Sequence, residues 1–223
     1  MNVSPLSRRL LALLKTLACI AGLAVCAAAQ AAPTVYNFTT APGPYGYSAG
    51  MGGLFSATDV VSGSFVFDPV TPPTGVGTGG TTLYGINTAY SATYATLAGT
   101  VAGYFFSDPR GFVTVGNDKP LPTGGPNVDA ITFYADTSLA TGTHDISGFS
   151  VGAYTLVNVR IFWVESIDIP DFLSDQNLPA TPPTFMGRLA LDFVPTDNPA
   201  LPATSYVFFN GVKVTPAEPG TCN

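Results

Sequence analysis

The acidic side chains are the residues of this sequence whose types and spacing point most directly to chemistry. Glu165, Asp168, Asp171 and Asp175 lie close together in one segment that contains no base. Ca²⁺ takes about six to eight oxygen ligands from carboxylates, amides and backbone carbonyls. The spacing matches no EF-hand loop. Calcium binding is therefore one hypothesis, and solvated acids that cap the backbone of turns are the competing one.

A second set of possible calcium ligands surrounds the Gly- and Pro-rich segment 116–127, which is typical of a hairpin loop. Asn117 and Asp118 stand at one end of this loop, and Asp129 follows the other end. Pairing of the two flanking strands would bring these three side chains together. The competing interpretation is again that they are ordinary turn residues.

Two catalytic arrangements can be drawn from the residue types, and neither is favoured. Glycoside hydrolysis needs two carboxyl groups roughly 5–10 Å apart, and only the acids near Glu165 suggest such a pair. His144 is the only histidine, and no G-x-S-x-G segment accompanies it. His144 and the distant Cys222 also do not suit zinc. We expect a protein that is not an enzyme.

Aromatic side chains suggest carbohydrate binding as a further hypothesis, because an exposed ring can stack on the apolar face of a sugar. Tyr45 and Tyr47 lie in the Gly-rich segment 41–53 and are the residues we expect to do so. Trp163, the only tryptophan, falls on the apolar side of an alternating segment, which predicts a core position. Structural packing is the competing interpretation for all of these rings.

The composition predicts the elements that must position these side chains. The 223 residues include 24 Gly and 20 Pro, with 12% aromatic and 10% charged residues. Many turn formers and few charges are typical of short strands joined by turns. We predict an all-β domain over residues 32–214, with about nine to eleven antiparallel strands in a two-sheet sandwich of jelly-roll or Ig type.

Alternation of apolar and polar residues marks the clearest strands. It is strongest in the stretches that contain Val157 to Trp163 and Leu189 to Phe193. Further strands are predicted at 35–39, 60–68, 101–106, 112–115, 129–134, 146–151 and 205–214. Within the last of these, Asn210-Gly211 predicts either a tight hairpin turn or one bent strand.

The first 31 residues have the pattern of a signal peptide. Arg8, Arg9 and Lys15 precede or enter an apolar run at 16–28, and Ala29-Gln30-Ala31 is an A-x-A cleavage site. The apolar run is short for a membrane helix, which needs about 20 residues. We expect export to the periplasm or the extracellular space, with a mature chain that starts at Ala32.

The cysteines leave two questions open, where the leader is cleaved and whether Cys222 forms a disulfide. Lipoprotein processing at Cys26 is the alternative to cleavage after Ala31, although Val25 is larger than the residue such processing prefers. Either way, Cys222 would be the last cysteine of the mature chain, in a tail (215–223) that we expect to be flexible. It would be an exposed thiol or form an intermolecular disulfide.

The charge balance argues against nucleic acid as a partner. The chain has a formal net charge of −6, and the leader would remove three of its eight bases and none of its fourteen acids, which gives −9. Neutralising phosphates requires clustered bases. We therefore expect no nucleic-acid partner, and adhesion to anionic membranes is also disfavoured. No later segment is long and apolar enough to span a bilayer.

Several segments together resemble a known family. They are Gly63-Ser-Phe-Val-Phe-Asp68, Phe112-Val-Thr-Val-Gly-Asn-Asp118, Asp129-Ala-Ile-Thr-Phe133, Leu173-Ser-Asp-Gln-Asn-Leu-Pro179 and Leu189-Ala-Leu-Asp-Phe193. This order is similar to exported β-sandwich proteins of Gram-negative bacteria that usually end in a PEP-CTERM sorting signal. The resemblance implies a cell-surface or matrix protein associated with extracellular polysaccharide or other surface proteins.

The C-terminal segment departs from that family. Glu218-Pro219 stands in the expected place, but Ala217 replaces the first proline of Pro-Glu-Pro, and neither the apolar helix nor the basic end follows. We therefore expect release rather than anchoring by that sorting system. The expected function is a non-catalytic structural or interaction module, and a carbohydrate- or calcium-binding module is the alternative.

Overall fold

The computed structural model describes residues 33–71, 75–76, 87–91, 97–108, 111–119, 128–135, 146–166, 171–198, 203 and 205–218. All of them belong to one compact unit that begins at Pro33. The predicted leader, His144, Asp168 and Cys222 lie outside the described residues. So do the side chain of Asp118 and the end of the C-terminal tail.

The described residues form β-strands and no helix, which confirms the predicted all-β class. The strands are β1 (Thr34–Thr39), β2 (Pro44–Tyr47), β3 (Val61–Phe67), β4 (Gly75–Val76), β5 (Asn87–Ser91), β6 (Leu97–Val101), β7 (Tyr104–Asp108), β8 (Phe112–Lys119), β9 (Val128–Tyr134), β10 (Ser150–Val151), β11 (Tyr154–Val164), β12 (Gly187–Pro195) and β13 (Ser205–Pro216). In this part of the chain nothing helical is long and apolar enough to cross a bilayer.

Hydrogen bonds join the described strands into one curled antiparallel sheet. Eleven strands follow one another in the order β4-β5-β8-β9-β11-β12-β13-β1-β3-β6-β7, while β10 pairs with β11 and β2 pairs with β13. The eleven strands of this path agree with the predicted number. The predicted separation into two sheets is not confirmed, because the ladder is continuous.

The sheet changes direction within β13. The first part of this strand pairs with β12 and β2, and the last part, Lys213 to Pro216, pairs with β1. Gly211 lies at the bend with φ of 66°, a left-handed conformation that suits glycine. Ala41 donates its backbone N–H to the carbonyl oxygen of Asn210 at 2.9 Å. Asn210-Gly211 is thus a bend in one strand and not a hairpin turn.

The predicted alternation of β11 and β12 is confirmed in the core. Ile161 and Trp163 of β11 and Leu189 and Leu191 of β12 are all at most 1% exposed. Aromatic rings join the two halves of the curled sheet, since the Phe133 ring of β9 lies 4.8 Å from the Phe65 ring of β3. The core therefore lies between β3 and β9, inside the curl.

A glycine pair makes room for two core rings. Gly63 of β3 lies opposite Gly99 of β6. A Cβ at Gly63 would lie 2.8 Å from the ring of Phe38, and one at Gly99 would lie 2.7 Å from the ring of Phe106. Both distances are too short for carbon atoms in contact, so the two rings occupy space that side chains here would fill.

Two predicted strands were wrong in part. The segment 101–106 is not one strand, because Ala102 (φ 50°) and Gly103 (φ 81°) form a tight turn between β6 and β7. Alanine rarely adopts positive φ, so Ala-Gly gave no turn signal. The segment 146–151 forms only the short β10, although Ser147 also bridges to Ser107 of β7.

Candidate functional site

Three carboxylates from the two predicted acidic sets meet where β9 begins and β11 ends. Asp129, Glu165 and Asp171 each contribute an oxygen, and these atoms lie within 4.8 Å of one another. We call these three residues the carboxylate cluster. The sequence placed Asp129 with the residues around the predicted hairpin loop and the other two with the acids near Glu165, and the structure joins one member of the first set to two of the second.

Strand pairing explains why Asp129 meets Glu165. The register of β9 and β11 ends at the pair Ala130 and Val164, and the next two residues continue the ladder. Glu165 donates its N–H to the Asp129 carbonyl at 2.8 Å. Asp129 in turn donates its N–H to the Glu165 carboxylate at 2.9 Å. The two side chains are therefore brought together by backbone hydrogen bonding.

The segment 171–186, which we call the anchored loop, is held to the sheet at both ends. Near its start, the Asp129 carboxylate accepts the Leu173 N–H at 2.7 Å. Near its end, Trp163 donates its indole N–H to the Phe185 carbonyl at 3.0 Å. The rings of Phe172 and Phe185 also meet edge to face at 5.0 Å. Asp129 and Trp163 thus have a structural role under this loop.

The three carboxylates differ in their access to solvent. Asp129 is completely buried, Glu165 is half-buried and Asp171 is exposed. Asp171 has φ of 46°, a left-handed conformation that Asp tolerates better than most residues. A dissolved ion would reach the cluster from the Asp171 side, where carboxylate oxygens of the kind that Ca²⁺ prefers are grouped.

Two other predicted calcium ligands, Asn117 and Asp118, lie across from Asp129 in the sheet, as the predicted pairing of the flanking strands requires. Asn117 and Asp118 fall between the pairs Gly116–Ala130 and Lys119–Val128, so two residues oppose Asp129 in a β-bulge. Asp175 is exposed, and its carboxylate accepts the Asn177 N–H at 2.8 Å. This last contact is the turn-capping arrangement that the competing interpretation predicted.

A second buried acid, Asp192, has a different environment that the sequence analysis did not single out. Its carboxylate accepts two hydrogen bonds from the Arg160 guanidinium, both at 2.7 Å, and one from the Asn158 amide at 3.0 Å. The Asp192 side chain is 7% exposed and the Arg160 side chain 31%. Alternation in β11 and β12 placed these side chains on one face, but only the register makes Asp192 face Asn158.

Electrostatics at this pair favour the charged guanidinium. Burial lowers the pKa of Arg160, but the charge and hydrogen bonds of Asp192 outweigh burial and raise that pKa above its usual value. Neighbouring Tyr134 lies opposite Arg160 in the register. Burial raises the pKa of the Tyr134 phenol, and the positive charge of Arg160 offsets this only in part.

The side of the sheet opposite the core carries rings and one exposed base. We call Tyr45, Phe162, Arg188, Tyr206 and Phe208 the outward aromatic face. Phe208 lies at its centre, with ring centroids 5.9 Å from Tyr45, 4.7 Å from Tyr206 and 6.2 Å from Phe162. The Arg188 guanidinium lies 6.0 Å from the centre of the Tyr45 ring, at the limit of a cation–π contact.

The two tyrosines predicted to bind carbohydrate are both exposed, and their rings have different neighbours. Tyr45 is 49% exposed and packs on Phe208. Tyr47 is 56% exposed and lies opposite Val207. A Cβ at Gly52 would lie 3.0 Å from the Tyr47 ring, so this ring rests on the following turn. Tyr45 is the only one of the two in the outward aromatic face.

Comparison of the chain with protein-family models, with curated proteins and with solved structures gives no match.

Proposed function

We propose that this chain is a non-catalytic structural or interaction module of the bacterial envelope or extracellular matrix, exported by its N-terminal leader. The observation that carries the proposal is the outward aromatic face. Two exposed tyrosines, Tyr45 and Tyr206, lie there beside half-buried Phe rings and an exposed Arg, and aromatic residues with Arg are typical of surfaces that bind another molecule. The buried acids support the same proposal, because Asp129 and Asp192 are occupied in holding a loop and two strands.

The fold that goes with this proposal is a sandwich in which one curled sheet packs on itself. The contact between Phe133 and Phe65 supports two facing layers, and β13 continues from one layer into the other. The signal-peptide pattern at 1–31 and the resemblance to PEP-CTERM-associated proteins support the proposed location.

Fractionation of a Gram-negative host that expresses the full chain with a C-terminal tag tests this proposal. We expect the tagged protein in the periplasm or the medium, with an N-terminus at Ala32. A matched variant with Arg8, Arg9 and Lys15 replaced by Glu should remain inside the cell. Cytoplasmic recovery of the unmodified chain would contradict the proposed function.

The carboxylate cluster favours a second candidate function, a calcium-stabilised module. Three carboxylates close together repel one another, and a divalent cation would offset that repulsion. Asp129 and Glu165 each use an oxygen on a backbone N–H, and a carboxylate has further lone pairs for an ion. The ion would strengthen the attachment of the anchored loop.

Thermal unfolding in the presence of calcium or a chelator tests the second candidate. Because an ion that binds only the folded chain stabilises it by about 2.7 kcal/mol at a hundred times its Kd, we expect the melting temperature to rise with calcium. Asp171→Asn should reduce this rise, and Asp175→Asn, an acid outside the cluster, should not. An equal rise in both variants, or none in the unmodified chain, would refute calcium binding at the cluster.

A further inference from the structure

The outward aromatic face is a continuous surface because strand register aligns its members. Phe208 lies opposite Ala190, and Arg188 lies opposite Asn210 on the same side of the sheet. Tyr45 lies beside both rows, in contact with Phe208 and near Arg188. The small Ala190 side chain is buried, so it adds no bulk between the rings. The result is a ring platform with a guanidinium at its edge.

This face is locally positive in a chain that is acidic as a whole. Arg188 is the base of this face, and its side chain is exposed. Lys213, the other exposed base among the side chains that the structure describes, lies on the part of β13 beyond the bend, opposite Thr39 of β1. The acid on the same side, Asp192, is neutralised by Arg160. With a net charge of −6 over the chain, the exposed Arg188 marks a place where an anionic ligand finds favourable charge.

We propose that the outward aromatic face binds an acidic polysaccharide, a chain of sugar rings that carry carboxylate groups. The apolar face of one sugar ring would stack on Tyr45. Its carboxylate would accept hydrogen bonds from the planar guanidinium of Arg188, which suits carboxylates better than an ammonium does. This inference rests on the proposed function, since it names the ligand of that interaction module.

A second copy of the chain is a less suitable occupant of the same face. In a symmetric dimer each copy presents the same patch to the other. Arg188 would then approach its own counterpart, and two acidic chains would also repel at longer range. An acidic polysaccharide brings the opposite charge to Arg188, and its hydroxyl groups can bond to exposed Asn210.

Binding of the purified protein to polygalacturonate, with dextran as the neutral comparison, tests the inference. At low ionic strength, about 0.05 M, we expect affinity electrophoresis to show retardation by polygalacturonate and none by dextran. Tyr45→Ala and Arg188→Gln should each lower the affinity about tenfold. The affinity of Arg188→Lys should lie between those of the unmodified chain and Arg188→Gln, because lysine keeps the positive charge and lacks the planar guanidinium.

The matched control is Phe105→Ala, which removes another exposed ring, on β7 and outside the outward aromatic face. Its affinity for polygalacturonate should equal that of the unmodified chain. Equal retardation by dextran would overturn the assignment of an acidic ligand. Self-association that Tyr45→Ala abolishes, without retardation by polygalacturonate, would overturn the inference in favour of a second copy.

The two proposals fail in different experiments. A chain that is exported but not retarded by polygalacturonate would contradict this inference and leave the proposed function standing. A chain that stays in the cytoplasm would contradict the proposed function whatever it binds in solution. Circular dichroism of each variant checks that the strands are intact before its affinity is compared.

Discussion

Asp129 and Asp192 are two buried acids in one sheet, separated by strand β11, and their surroundings are opposite. Asp192 meets a guanidinium and an amide, both of which donate to its carboxylate. Asp129 accepts a backbone N–H and lies beside the carboxylates of Glu165 and Asp171. One acid is matched by a positive charge, and the other is placed among negative ones.

This difference shows how one residue type serves two purposes in the same fold. The Asp192–Arg160 pair joins neighbouring strands on the outward side, where a charge pair can remain in partial contact with water. Asp129 joins the sheet to a loop through a backbone hydrogen bond, which requires an acceptor but no counter-charge. The contact of Asp192 with Arg160 therefore depends on the negative charge of the acid. The contact of Asp129 with the loop depends on an acceptor oxygen in the right position.

The largest effect is expected when the counter-charge of Asp192 is removed. Arg160→Met should lower the free energy of unfolding by about 2–3 kcal/mol, below the usual range for a buried pair because Arg160 is partly exposed. Urea denaturation measures the change. Arg188→Met, the same substitution at an exposed position of β12, should change the stability by less than about 0.5 kcal/mol. Similar losses of stability in Arg160→Met and Arg188→Met would show that the partner charge of Asp192 has no special role.

Replacing each of the two buried acids by its amide should change stability in different directions at Asp192 and at Asp129. Asp192→Asn leaves a partly exposed guanidinium without its partner charge and should cost about 1–3 kcal/mol. Asp129→Asn keeps a carbonyl that accepts the Leu173 N–H and relieves repulsion, so stability in chelator should be unchanged or higher. Urea denaturation of the two variants side by side tests this. A large loss for Asp129→Asn would show that its charge is needed.

The Asp192 side of the comparison should also respond to alkaline pH. The raised pKa of Tyr134 means that the unfolded chain releases this proton first, at about pH 10. The contribution of Tyr134 to the free energy of unfolding is therefore fully present below that pH, and it is lost as pH rises towards the pKa of Tyr134 in the folded chain. Urea midpoints at about pH 9 and about pH 11 should show this fall. Tyr134→Phe should reduce this fall in the urea midpoint. Tyr206→Phe, at another tyrosine on the outward side of the sheet, should not.

The smallest expected effect concerns the exposed member of the carboxylate cluster. Asp171→Asn should raise the stability in chelator by a few tenths of a kcal/mol, and added salt should remove the gain by screening. Asp171→Ala should instead lower the stability by about 1 kcal/mol, because alanine is strained at φ of 46°. Equal stabilities of the two variants would contradict the role of the backbone at this position.

Alternation alone was enough to predict much of the fold. The strands around Trp163 and Leu191, and the burial of both residues, follow from a period of two that any local segment displays. Turns with unusual residues were missed, because the turn at Ala102 places alanine where glycine or asparagine is expected. The bend at Gly211 stayed undecided, since a hairpin turn and a bent strand share the same local signal.

The sequence by itself determined that the described chain is built of strands, which side chains face the core, and which residues are able to bind a cation or a sugar. Only the tertiary structure decided which of those residues meet. Asp129 and Glu165 are far apart in the chain and become neighbours through the register of β9 and β11. Arg160 meets Asp192, and Tyr45 meets Phe208, for the same reason. Register depends on long-range hydrogen bonding and core packing, and no local pattern of residues contains that information.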